Sequence, residues 1–398
     1  MAQLPLKDLM VLDLTAVVYG PYTTQILGDL GADVIKIEPL RGDDVRHITP
    51  TKEGGLSALF MGLNRNKRSI CLDLKSESGK DALRHLCRRA DFFVHNMRAA
   101  KIKALGFGYE YVKTLNPGII YGELVGYGQN GPWADMPAYD DVIQGQSGLA
   151  GSFTARDGTP SLIPSIIADK TSALMAVSAL QSALIQKLRT GVGGHVEVPM
   201  YETMVAFTMV EQLAGHRFQP PEGRMGYERA VSRFRRAFPT KDGHLCMLAY
   251  HDRQWARFFQ IIDRPELIND PKFATMLARS ENINDVYALV EEVMPTRTTQ
   301  EWLALLQSAE IACGAVNTLE DLLDDQHLRE VNFFQKHIHP HAGEVMYASP
   351  PGRWDGKNLP MRLQPPCLGE HTKEVLEQFE VPTNILQEVL DQQKSFGN

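Results

Sequence analysis

Short apolar runs alternate with amphipathic stretches through the first part of the chain. Met10-Val-Leu-Asp-Leu and Asp33-Val-Ile-Lys-Ile-Glu read as strands, because brief runs of aliphatic residues bounded by turns suit a strand buried on both faces. Residues 22–31 between them carry a helical spacing. The alternation continues through Ser69-Ile-Cys-Leu-Asp-Leu, a helical pattern over 78–89, Asp91-Phe-Phe-Val-His and Ile119-Ile-Tyr-Gly-Glu-Leu. Repetition of this kind predicts an α/β fold with a largely parallel sheet. A longer helical pattern starts at Lys170, Gly191-Val-Gly-Gly supplies its stop, and His195-Val-Glu-Val begins a further strand. Residues 219–236 are rich in proline, glycine and arginine and read as a linker or loop. Gly243-His-Leu-Cys-Met-Leu-Ala and helical stretches over 254–262, 284–293 and 299–309 then predict a smaller α+β domain at 220–328. The tail over 349–364 is proline-rich and extended, and 370–379 is again helical.

Composition narrows the functional classes. With 398 residues, 43% hydrophobic and 22% charged, the chain is expected to fold and is long enough for two domains. A net charge of −7 argues against nucleic acid as a partner, since phosphate backbones call for a basic face. Five scattered cysteines, none in a C-x-x-C spacing, fit reduced thiols with no disulfide and no structural zinc. Cys246 and Cys313 are expected to be buried small hydrophobes. The first residues lack the basic and apolar regions of a signal peptide, and no apolar run approaches the ~20 residues of a membrane span. The expectation is a soluble, cytoplasmic protein with no membrane partner.

The chemistry centres on one carboxylate. Asp169 is the only acidic residue between Asp157 and Glu197, placed where an apolar run gives way to the long helical pattern. It is either a helix cap, worth about 1 kcal/mol over alanine, or a reagent. As a reagent it is expected to stay ionised at neutral pH, favoured by the helix dipole and free N–H groups, and to be a nucleophile that needs no base. Leu124-Val-Gly-Tyr-Gly-Gln-Asn-Gly-Pro-Trp holds three glycines in six positions beyond a strand, so its backbone can approach a ligand closely. A nicotinamide-binding reading is disfavoured, because Thr15-Ala-Val-Val-Tyr-Gly-Pro lacks the Gly-x-Gly-x-x-Gly that brings N–H groups onto a pyrophosphate. His337-Ile-His-Pro-His sets alternate imidazoles on one face of a strand, a pattern that can hold metal, although no metal is expected there.

Taken in order, these pieces resemble the class III CoA-transferases, the family of formyl-CoA transferase and carnitine CoA-transferase, whose fold is shared by α-methylacyl-CoA racemase. The resemblance rests on Val11-Leu-Asp-Leu with Gly20-Pro-Tyr, Leu30-Gly-Ala-Asp-Val-Ile-Lys-Ile-Glu with Gly42-Asp-Asp, and Asn64-Arg-Asn-Lys-Arg-Ser-Ile with Leu72-Asp-Leu-Lys. It continues through His95-Asn-Met-Arg, Leu105-Gly-Phe-Gly-Tyr-Glu, Asn116-Pro-Gly-Ile-Ile-Tyr, Phe238-Pro-Thr-Lys-Asp-Gly, Asp252-Arg-Gln-Trp and Pro365-Pro-Cys-Leu-Gly-Glu-His-Thr. Each piece is weak alone; their common order is specific.

The resemblance implies a large Rossmann-like CoA-binding domain over 1–200, a small α+β domain over 220–328, and an extended return with a C-terminal helix over 329–398 that completes the large domain. It also implies an interlocked homodimer. Asp169 would attack an acyl-CoA thioester to give a mixed anhydride and then carry CoA as an aspartyl thioester to a small carboxylic acid. Acyl-CoA is thus a substrate, and no tightly bound cofactor is expected. Lys67, Arg68, Lys75 and Arg98 are the candidate partners of the CoA phosphates, Leu72 and Met97 of its adenine, and Asn96 and Tyr139 join them at matching positions. Gly128 and Gln129 are candidate substrate contacts, with the loop over 126–131 offering N–H groups to an oxyanion. Arg229 and Arg233, in a loop with Arg235 and Arg236, suit the free carboxylate of a dicarboxylic acid, pointing to a succinyl-CoA-type donor.

Two departures stand near these positions: Ala104 replaces a basic residue, and Pro39-Leu-Arg replaces an arginine, with Lys101, Lys103 and Arg41 available to compensate. The racemase alternative needs two acid/base groups and a His-Asp pair where this chain has Ala138-Tyr139-Asp140. Tyrosine, with a reference pKa of about 10, is a poor base. A non-catalytic CoA-binding protein is the remaining alternative, and it would be expected to have lost Asp169.

Overall fold

In the computed structural model of the protein, residues 4–154 and 158–396 are described. They divide into two compact units, one of residues 4–147, 164–205 and 329–396, the other of 148–154, 158–163 and 206–328. The second unit is therefore wider than the 220–328 stretch on which the sequence centres the smaller domain.

The first unit is built on a six-stranded sheet of β1 (Met10–Leu14), β2 (Asp33–Glu38), β3 (Lys67–Cys71), β4 (Phe92–His95), β5 (Ile120–Val125) and β6 (Gly194–Pro199). All pairings are parallel, in the order β3-β2-β1-β4-β5-β6. That is the doubly wound order in which the strand sequence reverses between β1 and β4, so the carboxyl ends of those two strands open a crevice. β1 and β2 have the predicted bounds. β3 starts two residues early, because Lys67 and Arg68, expected to meet the CoA phosphates, are instead buried in the strand and paired there. Helix α1 (Tyr19–Asp29) also starts early, absorbing Gly20 and Pro21 into its first turn, where a missing N–H does no harm.

Helices α2 (Glu77–Cys87), α3 (Asp140–Gln146) and α4 (Ile167–Thr190) follow, and α4 stops at Gly191 in the left-handed region, as predicted. The C-terminal helices α8 (Thr372–Gln378) and α9 (Thr383–Phe396) share one core with the sheet: Val375, Leu376, Leu386 and Val389 pack with Leu12, Ile35, Ile70, Leu83 and Phe93. The tail thus returns to the first unit. An antiparallel hairpin, β10 (Phe334–His339) and β11 (Gly343–Ala348), lies between the two ends of that return.

The second unit carries a three-stranded sheet of β7 (Phe238–Pro239), β8 (His244–Leu248) and β9 (Ala312–Ala315), with β8 central and both pairings antiparallel. Helices α5 (Asp252–Ile261), α6 (Ile283–Val293) and α7 (Thr299–Ser308) cover it through a core of Leu245, Phe258, Phe259, Val286, Val290, Trp302 and Leu306. A capping box between Thr298 and Glu301 starts α7, and the Trp302 indole N–H reaches the Met294 carbonyl at 2.7 Å. The expectation of buried cysteines is corrected here. Leu245 takes the core face of β8, so Cys246, one residue on, is exposed, and Cys313 on β9 is half-buried. No helix among the described residues is long and apolar enough to cross a membrane.

Candidate active site

Strand ends and the loops after them build a cavity of about 690 Å³ that Asp169 lines. Ala16, Val17 and Tyr19 follow β1; Asn96, Met97 and Arg98 follow β4; Val125 and Gly126 close β5, and Met200 follows β6. The cavity therefore opens where an open α/β sheet places its ligands, with a volume suited to a small-molecule site.

The loop after β1 is held by ions that never reach solvent. Asp13 meets Lys67 at 2.9 Å, and Lys36 meets Asp43 at 3.0 Å. The Lys36 ammonium also donates to the Thr15 carbonyl at 2.9 Å, while Asp43 Oδ1 accepts from the Val17 N–H at 3.1 Å. Asn96 brackets the same loop, accepting from Ala16 N–H at 3.0 Å and donating to the Ala16 carbonyl at 2.8 Å. These bonds keep Val17 at φ +70, a conformation that a β-branched residue adopts only when its surroundings impose it. The N–H groups of Ala16 and Val17 are consumed, so neither is offered to a pyrophosphate. Burial alone would raise the Asp13 carboxyl; Lys67 and Lys36 outweigh it and hold the group below its ordinary value.

Asp169 lies in the first turn of α4, which begins at Ile167, and is not its cap. Asp140 does the capping from outside: its Oδ1 accepts from Ala168 N–H at 2.7 Å and from Asp169 N–H at 3.1 Å. Its Oδ2 takes the Gln144 amide at 2.6 Å. The Asp169 side chain is left free to face the cavity, where the Tyr19 backbone N–H in the first turn of α1 points at it. Burial first, then the Asp140 carboxylate, push the Asp169 carboxyl up to about 7, against that N–H. The expectation of a fully ionised carboxylate is corrected: desolvation and a like charge exceed what one N–H and the helix dipole return. Near neutral pH both protonation states are populated.

Of the residues predicted to bind CoA, Asn96, Met97, Arg98 and Tyr139 line this cavity. Lys67 does not. Its ammonium is fully buried and bonded to Asp13, Asn64, Thr24 and the Pro21 carbonyl at 2.8–2.9 Å. Arg68 is committed to Asp33 and Glu374, and Leu72 is in the core behind the sheet. Lys75 is exposed and outside the cavity lining. Gln129 lines the cavity, but three N–H donors of its loop are spent: Gly128 N–H on Glu202 at 2.9 Å, Gln129 N–H on Glu197 at 2.9 Å, and Gly131 N–H on the Gly128 carbonyl. Gly126 serves by what it lacks, since a Cβ there would run into Ala138. Sequence reasoning missed Tyr19, Val17 and Met200, whose place comes from strand ends, and Asp140 as a cap 28 residues before the Ala168 N–H it accepts from. Lys101, named only as a compensating charge, lines the cavity with Arg98.

Arg229 and Arg233 belong to the second unit. There Arg229, Arg235 and Arg236 line an open cavity of about 550 Å³ with Tyr287, Met247 and Cys313. Arg229 donates to the Tyr287 hydroxyl at 2.8 Å and Arg236 pairs with Glu291, while Arg233 stacks on Phe234.

A family model described as CoA-transferase family III matches residues 6–372. A succinyl-CoA:glutarate CoA-transferase of Mus musculus is 32% identical over 377 residues, covering 94% of this chain and 86% of that protein. A succinate–glutarate CoA-transferase of Agrobacterium fabrum is 30% identical over 388 residues, covering 94% and 96%. The crystal structure of a CAIB/BAIF family protein from Brucella suis matches with a TM-score of 0.79 at 30% identity, over 94% of this chain and 99% of that one. Likeness that runs nearly end to end in both sequence and fold leaves no room for a borrowed fragment: the chain belongs to CoA-transferase family III and is an enzyme that transfers coenzyme A.

Proposed function

We propose that this enzyme moves CoA from a succinyl-CoA-type thioester to a dicarboxylic acid through covalent intermediates on Asp169. The observation that carries the proposal is the exposure of one buried carboxylate to a cavity whose described lining holds no histidine. The reaction needs none. The Asp169 carboxylate adds to the thioester carbonyl, the C–S bond breaks, and CoA leaves as thiolate, giving a mixed anhydride. The thiolate adds to the aspartyl carbonyl and expels the donor acid as its carboxylate, giving an aspartyl-CoA thioester. The acceptor carboxylate then repeats the two steps in reverse, and Asp169 is regenerated. No proton is transferred, so a nucleophile that is already an anion suffices.

The Tyr19 N–H favours charge on the carboxylate and is our candidate donor to the oxyanion of each tetrahedral step. Arg98 and Lys101 supply cations for the CoA phosphates, and Met97, Met136 and Pro137 an apolar surface for its organic part. Within the second unit's own cavity we propose Arg229 as a carboxylate-binding group, on the chemistry of the guanidinium fork and on the dicarboxylates that both curated relatives are named for. An isomerase would need a second acid/base group at the α-carbon, and Tyr139, exposed at the rim, is the wrong group for it.

We also propose that two copies associate, since α4 leaves Leu174, Met175, Ile185 and Leu188 exposed. Light scattering should return twice the chain mass, and a monomer would remove that proposal. For the chemistry, the protein is incubated with succinyl-CoA, quenched with hydroxylamine and digested. A hydroxamate on the peptide carrying Asp169, absent from Asp169→Ala, is expected. An unmodified peptide during turnover would rule the covalent route out.

A further inference from the structure

The alternating histidines at 337–341 do not act as one ligand set. His337 turns toward Tyr347 on the facing strand, ring centroids 6.0 Å apart. His339 is buried with both nitrogens used: Nδ1 accepts from the N–H groups of His341 at 3.1 Å and Ala342 at 3.2 Å, and Nε2 meets the Pro365 carbonyl at 2.8 Å. A ring whose Nδ1 accepts two bonds carries its proton on Nε2, so Nε2 is the donor to Pro365. That ring fastens the turn of the β10–β11 hairpin to the segment leading into Cys367. As a result the exposed His341 imidazole comes to the Cys367 thiol and the Glu370 carboxylate, with one donor atom from each within 4.8 Å of the other two.

Two further contacts fix these donors. Cys367 N–H donates to Glu370 Oε2 at 2.7 Å and Glu370 N–H returns to the Cys367 carbonyl at 3.3 Å, so thiol and carboxylate stand on one tight turn with Oε1 of Glu370 left over. The sulfur itself lies against bare backbone. A Cβ on Gly54, at φ +74, would meet Cys367 Sγ at 2.5 Å, so any side chain there would displace it.

Imidazole, thiolate and carboxylate together select a borderline-soft divalent metal; magnesium and calcium take oxygen sets. Zinc bonds of about 2.3 Å to sulfur and 2.0–2.1 Å to nitrogen place tetrahedral donors roughly 3.5 Å apart. The donors here need to close by at most about 1.3 Å, a movement within the reach of the exposed His341 and Glu370 side chains. We propose that His341, Cys367 and Glu370 form a peripheral zinc site with three protein ligands and water in the fourth position. None of the three lines the Asp169 cavity. The metal is a structural clip between the β10–β11 hairpin and the turn that starts α8.

The test uses the full chain, stripped with a chelator and titrated with cobalt as a spectroscopic substitute for zinc. One equivalent should bind per chain, with a thiolate-to-cobalt charge-transfer band and the visible bands of a tetrahedral ion, all displaced by zinc. Cys367→Ser should abolish the charge-transfer band. His341→Ala should weaken binding at least about tenfold, the least that loss of even a supporting partner costs a metal site. His341→Ala changes an exposed side chain, so it remains informative if Cys367→Ser fails to fold. His337→Ala should change nothing. Zinc should also raise the melting temperature of the wild type and leave Cys367→Ser where it was. Absence of stoichiometric cobalt, or a charge-transfer band that survives in Cys367→Ser and so belongs to another cysteine, would overturn the site.

Discussion

The Asp169 cavity of the first unit and the arginine-lined cavity of the second use charge in opposite ways. Around the first, Asp13, Lys36, Asp43, Glu38, Arg46 and Lys67 are buried and satisfy one another, and what they hold in place is backbone at residues 15–17. Around the second, Arg229, Arg235 and Arg236 open toward solvent, and the Arg236–Glu291 pair is half exposed on the arginine side. Buried ions give up their hydration, so they cannot serve a ligand without leaving a partner unpaired. Guanidiniums that keep part of their hydration have given up less, even where Tyr287 meets Arg229 and Glu291 meets Arg236. The comparison separates scaffold charge from ligand charge by burial, a distinction that residue type does not make.

The largest effect expected on the scaffold side is on activity. Asp169→Ala should lower kcat by at least about 10⁴-fold with acyl-CoA affinity retained, as loss of a covalent nucleophile does elsewhere. Retention of more than a tenth of the activity would break the assignment. Asp169→Asn should be as inactive yet more stable. A carboxyl whose folded pKa is raised to about 7 from 3.8 opposes folding once it ionises. The penalty is absent below about pH 4, grows between the two values and is complete above 7. The asparagine variant should therefore gain roughly 1–4 kcal/mol at pH 8 and nothing at pH 4, read by chemical denaturation.

Next in size, Lys67→Met should cost about 3–5 kcal/mol because it strands Asp13 in the interior, whereas Arg236→Ala should cost under about 1 kcal/mol. Equal losses would erase the contrast between the two regions. A finer probe is Asp140→Asn, which keeps an oxygen for the α4 N–H groups but removes the like charge beside Asp169. Because attack needs the ionised form, kcat/KM of the wild type should rise with pH through about 7, and in Asp140→Asn that inflection should move to lower pH. An unmoved inflection would assign the titration to another group. The smallest effects concern binding. Arg98→Ala should raise the KM for acyl-CoA about tenfold with kcat little changed.

Much of this was legible in one sequence. β1 and β2 are apolar runs with clean boundaries, and Asp169 stands out as a lone carboxylate at the head of a long helix. The roles of the basic residues were not legible. Lys67 and Arg68 look like surface charge because their partners, Asp13 and Asp33, lie 54 and 35 residues away and meet them only across the sheet. The Asp169 pKa depends on the same kind of distant pairing, since Asp140 reaches α4 from another helix. Val17 carries no local signal for a positive φ; Asp43 and Asn96 impose it. Periodicity reports what one residue does to the next few, and the site is made by strand ends that only the topology brings together.

The most direct test follows oxygen. With succinyl-CoA as donor and glutarate labelled in its carboxylate oxygens as acceptor, the anhydride route returns one acceptor oxygen to Asp169 in each turnover. After a single turnover the peptide carrying Asp169 should hold one heavy oxygen, and over many turnovers the label should appear in released succinate. Glutaryl-CoA formation with both the peptide and the succinate unlabelled would contradict covalent transfer through Asp169.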